Sequence, residues 1–203
     1  MKKDYIIQLV NKKEVEELLK NYHYLSKIQK GFKSGYNYAL MDGIRVVGVC
    51  IFTGIPVKEL LKGMIGEDMN SSQEGLFELS RLCIDPEVQS GEYNISSWFV
   101  SRCIRELRKE TNVRLILSYA DDDYHKGIIY QALSFDYYGL TAKKKDFWFR
   151  KEDGTFVKHS RGKVSGKDGE WRERSRKHRY LKVYDKNIKI KWKKENYPKG
   201  EKV

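Results

Sequence analysis

The chain has 203 residues, 40% of them hydrophobic, with 40 Lys and Arg against 28 Asp and Glu. That length suits one packed domain with an extension and is marginal for two. No stretch is apolar for long enough to cross a bilayer, and the start, MKKDYIIQLVNKKEVEELL, carries charge where a signal peptide needs apolar residues, so a cytoplasmic protein without membrane contact is expected.

The charge is unevenly placed. Residues 1–140 hold 18 Lys and Arg and 19 Asp and Glu, whereas residues 141–203 hold 22 and 9, a net of +13. Basic charge concentrated in one segment is the footprint of a polyanion partner. A solvated tail is the alternative. It fits poorly with Phe147, Trp148, Phe149, Phe156, Trp171, Tyr180, Tyr184, Trp192 and Tyr197, because disordered segments are poor in aromatic residues. The division is therefore drawn at residue 140, with a core over 1–140 and a basic, aromatic C-terminal extension over 141–203 that packs on the core and meets nucleic acid.

In chain order, Val10–Asn21 spaces Val15, Leu18 and Leu19 among charges as an amphipathic helix does. Tyr22-His23-Tyr24-Leu25-Ser26 follows, either an exposed aromatic loop or part of a site. Tyr36–Leu40 and Arg45–Phe52 read as a hairpin turned through Asp42-Gly43. The second of these strands is nearly all apolar, which suits burial on both faces. Residues 54–74 hold at most a short helix around Lys58–Lys62. Phe77–Ile84 reads as a strand closed by Asp85-Pro86. Ile95, Trp98, Phe99, Cys103 and Leu107 then recur at helical spacing, with Arg102, Arg105, Arg108 and Lys109 on the other face. Val113–Tyr119 reads as a second buried strand and Tyr124–Leu133 as a helix. Beyond Thr141 come short strand-like pieces, with a hairpin signal at Asp153-Gly154. Cys50, Cys83 and Cys103 lie far apart in apolar segments and read as reduced core residues. No pair among the four histidines has zinc-site spacing, so the sequence offers no structural metal site.

Two apolar runs joined by an amphipathic helix predict parallel neighbouring strands with a right-handed crossover. Ligands collect at the C-terminal edge of such strands. The first constellation there is Glu87–Ser97, where a helix N-terminus could hold a phosphate with the hydroxyls of Ser96 and Ser97, or where Asn94 or Ser96 simply caps the helix. Glu92 would repel a phosphate. The second is Ser118-Tyr119-Ala120-Asp121-Asp122-Asp123. Three adjacent carboxylates repel one another, so one of them could hold a raised pKa and serve as a general base, or they could be loop and cap residues. The third is Tyr130, which by itself reads as a packed helix tyrosine.

The order His125, Gly127, Tyr130, Ala132, Phe135, Gly139 resembles the second half of a GNAT-type acyltransferase core, with Ser134 where glycine is usual. The resemblance implies an α/β, GNAT-like mixed sheet whose splayed central parallel strands hold an acyl-CoA, acetyl-CoA being the expected donor. Tyr130 would then protonate the departing thiolate, and Gln89, Gly91, Asn94, Ser96 and Ser97 would hold the CoA pyrophosphate, with Glu92 and Asn94 where the GNAT loop usually has small residues.

A narrower resemblance is to the Mom family of phage DNA-modification proteins. It is carried by His23-Tyr24 with Ser26, Glu78-Leu79-Ser80-Arg81-Leu82 leading to Asp85-Pro86, the Asn94/Ser96/Ser97 helix start and Ser118-Tyr119-Ala120-Asp121. Lys177–Tyr180 and Trp192–Tyr197 in the extension also fit. The family implies conversion of the N6 amine of adenine in double-stranded DNA to a carbamoylmethyl form, which blocks host restriction. Its product has a new C–N bond to a methylene, so the chemistry is not plain acyl transfer to an amine, and a metal requirement stays open. His23 or Asp121 would orient or deprotonate the amine, Tyr24 would stack on the base and Ser118 would hydrogen-bond donor or base. An adenine inside a duplex must be flipped out to react. Tyr22, Tyr24 and Trp148 are candidates for stacking. Lys143, Lys144, Lys145, Arg172, Arg174, Arg176, Lys177, Arg179 and Lys189–Lys194 are candidates for gripping phosphates. Two other readings remain: a conventional N-acetyltransferase acting on a protein or small molecule, and a non-enzymatic nucleic-acid-binding protein that blocks restriction by occupancy.

Overall fold

The computed structural model describes residues 4–24, 31–56, 58–66, 73–159 and 163–199. Leu25 and Ser26 lie outside the described residues. Strand β1 (Ile6–Leu9) leads into helix α1 (Lys12–Tyr22), which Asn11 and Glu14 open with a capping box. Val15, Leu18 and Leu19 form its buried stripe. Strands β2 (Tyr36–Asp42) and β3 (Arg45–Gly54) form the expected hairpin, with Gly43 at φ +60° in the turn, a conformation that glycine adopts without strain. Helix α2 (Lys58–Ile65) follows.

Strand β4 (Leu76–Ile84), the short helix α3 (Pro86–Gly91), helix α4 (Ile95–Glu110) and strand β5 (Leu115–Asp121) form the crossover unit read from the sequence. Helix α5 is shorter than its apolar pattern suggests, Ile128–Ala132, because the chain between Asp121 and Gly127 is a turn anchored by its aspartates. Strand β6 (Asp136–Leu140) ends the first 140 residues. Strands β7 (Lys144–Arg150), β8 (Phe156–Lys158), β9 (Gly169–Arg174) and β10 (Lys177–Val183) complete the chain, β7 and β8 flanking the Asp153-Gly154 turn.

Seven strands make one sheet in the order β1-β2-β3-β4-β5-β10-β6, and β4 and β5 are its expected parallel pair. One face of the sheet is covered by α4 and α5, with Phe52, Phe99, Cys103, Leu107, Ile116 and Tyr130 in the core. The other face carries two clusters. Val15, Leu18 and Leu19 of α1 pack on Val49, Ile51 and Cys83, while Met64 and Ile65 of α2 pack with Leu115, Leu117 and Ile188. All three cysteines are buried and unpaired.

The last third of the chain does two different things. β7, β8 and β9 form a small antiparallel sheet in the order β8-β7-β9. β10 returns to the large sheet and pairs with both β5 and β6. The large sheet thus draws on both sides of the boundary drawn at residue 140, and the small sheet is an insertion between two of its neighbouring strands. Residues 184–199 also pack on the core: Lys191 N–H donates to Met64 O, Glu195 N–H to Tyr137 O, and the Tyr197 hydroxyl to Phe135 O.

Candidate active site

β4 and β5 pair only from Leu76/Leu115 to Leu79/Ser118. Beyond that rung β4 runs on to Ile84 and β5 to Asp121, with no further pairing between them among the described residues. The strands therefore part toward their C-terminal ends. The register of β4 against β3 shifts at the same level, leaving Ser80 as the extra residue of a bulge. A one-residue slip exchanges the faces of every later side chain. Leu79 packs in the α4 layer, but Cys83, four residues on, packs in the α1 layer.

Ser118 and Tyr130 meet at this opening. The Ser118 hydroxyl, fully buried, donates to Leu79 O across the last rung at 3.1 Å. The Tyr130 hydroxyl lies beside it, and the two groups interact. The Tyr130 ring packs 5.7 Å from Phe135 and 5.2 Å from Tyr180. Gly127, at φ +77°, opens α5. A Cβ there would stand 2.6 Å from the Tyr180 ring and 3.0 Å from the Tyr130 ring, so no other residue lets the turn come this close. Burial pushes the Tyr130 phenol well above its ordinary pKa, so it is a neutral group that keeps its proton.

His23 and Tyr24, directly after α1, reach the same place from the other side of the sheet. Burial, reinforced by the Arg81 guanidinium, pushes the His23 imidazole down to about 4, so it is neutral near pH 7. Its ring stacks on Tyr24 at 4.8 Å and 20°. Tyr24 in turn lies 4.5 Å from the ring of Tyr124, which follows β5. Burial and the nearby Asp121 carboxylate both raise the Tyr24 phenol, and Tyr24 is felt electrostatically by Tyr130. His23, Tyr24, Ser118, Asp121 and Tyr130 thus gather around the parting of β4 and β5, although nearly a hundred residues separate the first two from the rest.

The aspartate cluster departs from expectation. Burial alone would raise the Asp121 carboxyl, but hydrogen bonds from Lys177 Nζ and the Ser175 hydroxyl outweigh it and hold the group below its ordinary value. Lys126, with His178, does the same for Asp122. Neither carries a raised pKa: each finds a cation, so mutual repulsion never forces a proton onto it. Asp121 is consequently a poor general base. It ties the end of β5 to the stem of the inserted sheet, whose two legs are joined by Thr141 N–H to Lys177 O and by Lys177 N–H to the Thr141 hydroxyl, each 2.9 Å.

The phosphate-site candidates are divided. Gln89 and Gly91 belong to helix α3 rather than to an open loop. Asn94 stands at the start of α4 but with φ +57°, and its side chain does not cap the helix. Asparagine tolerates that left-handed conformation better than most residues. Ser96 and Ser97 sit in the first turn, half-buried, where backbone N–H groups lack intrahelical partners; the Ser97 hydroxyl donates to Asn94 O.

The basic candidates divide as well. Lys143, Lys144, Lys145 and Arg174 are exposed. Register places Lys144 and Trp148 of β7 and Arg172 and Arg174 of β9 on one face of the small sheet. Arg172 lies 4.8 Å over Trp148 and 4.7 Å over Phe156, which leaves Trp148 partly covered as a stacking surface. Arg176, Lys177 and Arg179 are engaged within the fold: Arg176 Nε donates to Thr141 O, Lys177 pairs with Asp121, and Arg179 lies 4.4 Å over Trp192. Lys194 pairs with Asp136 at 2.6 Å.

The sequence reading missed Arg81, Glu78 and Tyr124 as site residues. A charged pair inside the apolar strand FELSRLCI was the available signal, since charges are seldom buried without purpose. Burial lowers the Arg81 pKa while Tyr24 and Glu78 counter it, and burial raises Glu78. Among the described residues no group of three or more His, Cys, Asp or Glu side chains is arranged to hold a metal ion. No helix among them is long and apolar enough to cross a membrane.

Solved acetyltransferases share this fold. A Bacillus subtilis acetyltransferase in complex with CoA superposes with a TM-score of 0.51 at 13% identity, over 89% of this chain and 99% of that one. A GNAT family acetyltransferase from Elizabethkingia anophelis with acetyl-CoA bound gives 0.51 at 11% identity, over 90% and 100%. The ribosomal-protein-S18-alanine N-acetyltransferase from Escherichia coli gives 0.50 at 12%, over 91% and 99%. At such identities the likeness concerns the fold. No curated protein is detectably similar in sequence. The model of the Mom protein family matches residues 4–199, nearly the whole described chain with its inserted sheet, and the chain belongs to that family.

Proposed function

We propose that the protein is an enzyme that modifies the N6 amine of adenine in DNA with a carbamoylmethyl-type group, using an acyl-CoA as a source of activated carbon, and so shields phage DNA from host restriction. The observation that carries this reading is the meeting of Tyr130, Ser118, Tyr24 and His23 where β4 and β5 part. The family membership and the basic inserted sheet support DNA as the acceptor.

The residues fit an acyl-CoA. β4 continues for five residues past Leu79 without a partner strand on the β5 side, offering backbone groups to an amide-bearing chain. The first turn of α4, with Ser96 and Ser97, suits a pyrophosphate at a helix N-terminus. When bound, such a donor would supply an activated acyl group and a thiolate that departs; because N6 is bonded to a methylene in the product and the amide brings a further nitrogen, a nitrogen-bearing co-reactant must also take part. Tyr130, kept neutral by burial and lying beside Ser118, would give such a thiolate its proton. His23, neutral and stacked on Tyr24, is the better candidate than Asp121 for accepting a proton from the amine. The exposed lysines and arginines of the small sheet would grip phosphates beside the opening, because the insertion leaves the end of β6 and returns into β10 at Lys177, the register partner of Asp121 at the C-terminal end of β5.

The test is mass spectrometry of nucleosides from DNA of cells expressing the protein. A modified deoxyadenosine that disappears with Tyr130→Phe is the expected result. Unmodified DNA alongside folded, expressed protein and a replete acyl-CoA pool overturns the reading.

A further inference from the structure

The three rings at the opening form a graded stack. His23 and Tyr124 each lie within 4.8 Å of the Tyr24 ring. Two rings at those separations cannot share one face of a tyrosine without overlapping, so they flank it. One end of the stack, His23, is 8% exposed, whereas the other, Tyr124, is 57% exposed. A tyrosine with one face against Tyr24 and that much exposure presents its other face to solvent. Both faces of Tyr24 are therefore already occupied. The base-stacking role that the sequence suggested for Tyr24 passes outward to its neighbour.

The exposed ring is not on a loose tether. Tyr124 N–H and His125 N–H both donate to Asp121 O at 2.9 Å, and Asp123 N–H donates to the Asp121 carboxylate at 3.3 Å. His125 Nδ1 accepts from Gly127 N–H at 3.2 Å. The turn is thus pinned to the same aspartate that anchors the inserted sheet. An exposed aromatic face on a pinned backbone has little conformational entropy left to lose when a flat ligand covers it.

We infer that the outer face of Tyr124 seats an unpaired nucleobase, which continues the His23–Tyr24–Tyr124 stack outward and holds the nucleotide at the mouth of the opening. This rests on the reading of the protein as acting on DNA. The ligand is a planar heteroaromatic ring on a single strand or an extruded nucleotide, since only such a base offers a free π-face to a side chain. It is the nucleotide next to the acceptor adenine, because a base on that face is separated from His23 by the rings of Tyr24 and Tyr124.

The experiment uses the full chain and short single-stranded oligonucleotides with 2-aminopurine, whose fluorescence is quenched by stacking, either in place of one adenine or beside it. Wild type and Tyr124→Phe should quench the probe and bind alike. Tyr124→Leu, which keeps an apolar side chain at an exposed position, should relieve the quenching and weaken binding roughly 5- to 150-fold, the loss of one base–aromatic stack. The probe beside the acceptor adenine is the one expected to be quenched through Tyr124. Melting temperatures equal to wild type show that the variant is folded. Unchanged quenching and affinity in a folded Tyr124→Leu, or no single-strand binding by a wild-type protein that still modifies DNA in cells, overturns the seat but leaves the enzymatic reading standing. Normal quenching with no modified nucleoside in cells supports the seat and counts against the enzymatic reading alone.

Discussion

The ammonium of Lys177, the first residue of β10, is hydrogen-bonded to the carboxylate of Asp121, the last residue of β5. The two are register partners, so the pair locks the C-terminal end of the splayed strand to the strand that follows the inserted sheet. Asp121 is 3% exposed. Its carboxylate also takes the Ser175 hydroxyl and the Asp123 N–H, so little of its acceptor capacity is left for a substrate.

Asp121→Asn should accordingly cost stability as well as activity. Removing the charge leaves a half-buried ammonium without its counter-ion, an effect of about 1–3 kcal/mol. Urea unfolding of Asp121→Asn, Lys177→Met and the double variant forms a cycle that isolates the pair. A coupling of at least about 1 kcal/mol is expected for contacting charged residues. Additive effects, with activity lost at unchanged stability, would return Asp121 to the role of a base.

Tyr130→Phe should keep the fold. The ring still packs against Phe135 and Tyr180, and the Ser118 hydroxyl still donates to Leu79 O. Removing the only proton that the ring can give should slow modification by ~10²–10⁴-fold, the usual contribution of a general acid. Single-turnover formation of the modified nucleoside at saturating donor is the measurement. Wild-type rates would make Tyr130 a packing residue.

Most of the fold is legible in the sequence because its signals are local. The Asp42-Gly43 turn, the α4 stripe of Ile95, Phe99, Cys103 and Leu107, and the two apolar strands each follow from period and turn chemistry. Ser134 shows the same legibility by exception. It stands where the resembled pattern carries glycine, and its φ is +56°, the conformation that glycine would adopt freely. What sequence could not give is non-local. Nothing in KHRYLKV says that it inserts between β5 and β6, because a half-buried strand reads alike wherever it pairs. That single pairing turns Arg176, Lys177 and Arg179 from free cations into structural ones. The bulge at Ser80, which turns Cys83 to the α1 layer, is likewise visible only in register.

His23 predicts a pH dependence of stability. Its folded pKa, about 4, lies below the ordinary 6.5. Between those values the unfolded chain holds the proton and the folded chain does not. Stability from this group is thus complete above about 6.5 and falls as the pH drops toward 4. His23→Phe keeps an aromatic ring but cannot titrate. Its urea midpoints, compared with wild type across that range, should fall less steeply on acidification. Parallel curves would mean that His23 is as easily protonated folded as unfolded.

The inserted sheet predicts a salt dependence. Truncation before Thr141 cannot test it, because β10 lies inside the large sheet and its loss would unfold the core. Point changes on the exposed face can. Lys144 and Arg174 are register partners on that face, and both are exposed. If each neutralises a phosphate, Lys144→Ala with Arg174→Ala should weaken duplex binding at all sequences alike. The slope of log affinity against log salt should fall by about 2, one unit for each phosphate left without its cation. Arg172→Ala should do more harm than charge loss alone explains, because its guanidinium also covers Trp148 and Phe156. Arg172→Lys, which keeps the charge but loses the planar stack, separates the two effects. A double variant at Lys144 and Arg174 with wild-type affinity and slope would move the DNA interface off the small sheet altogether.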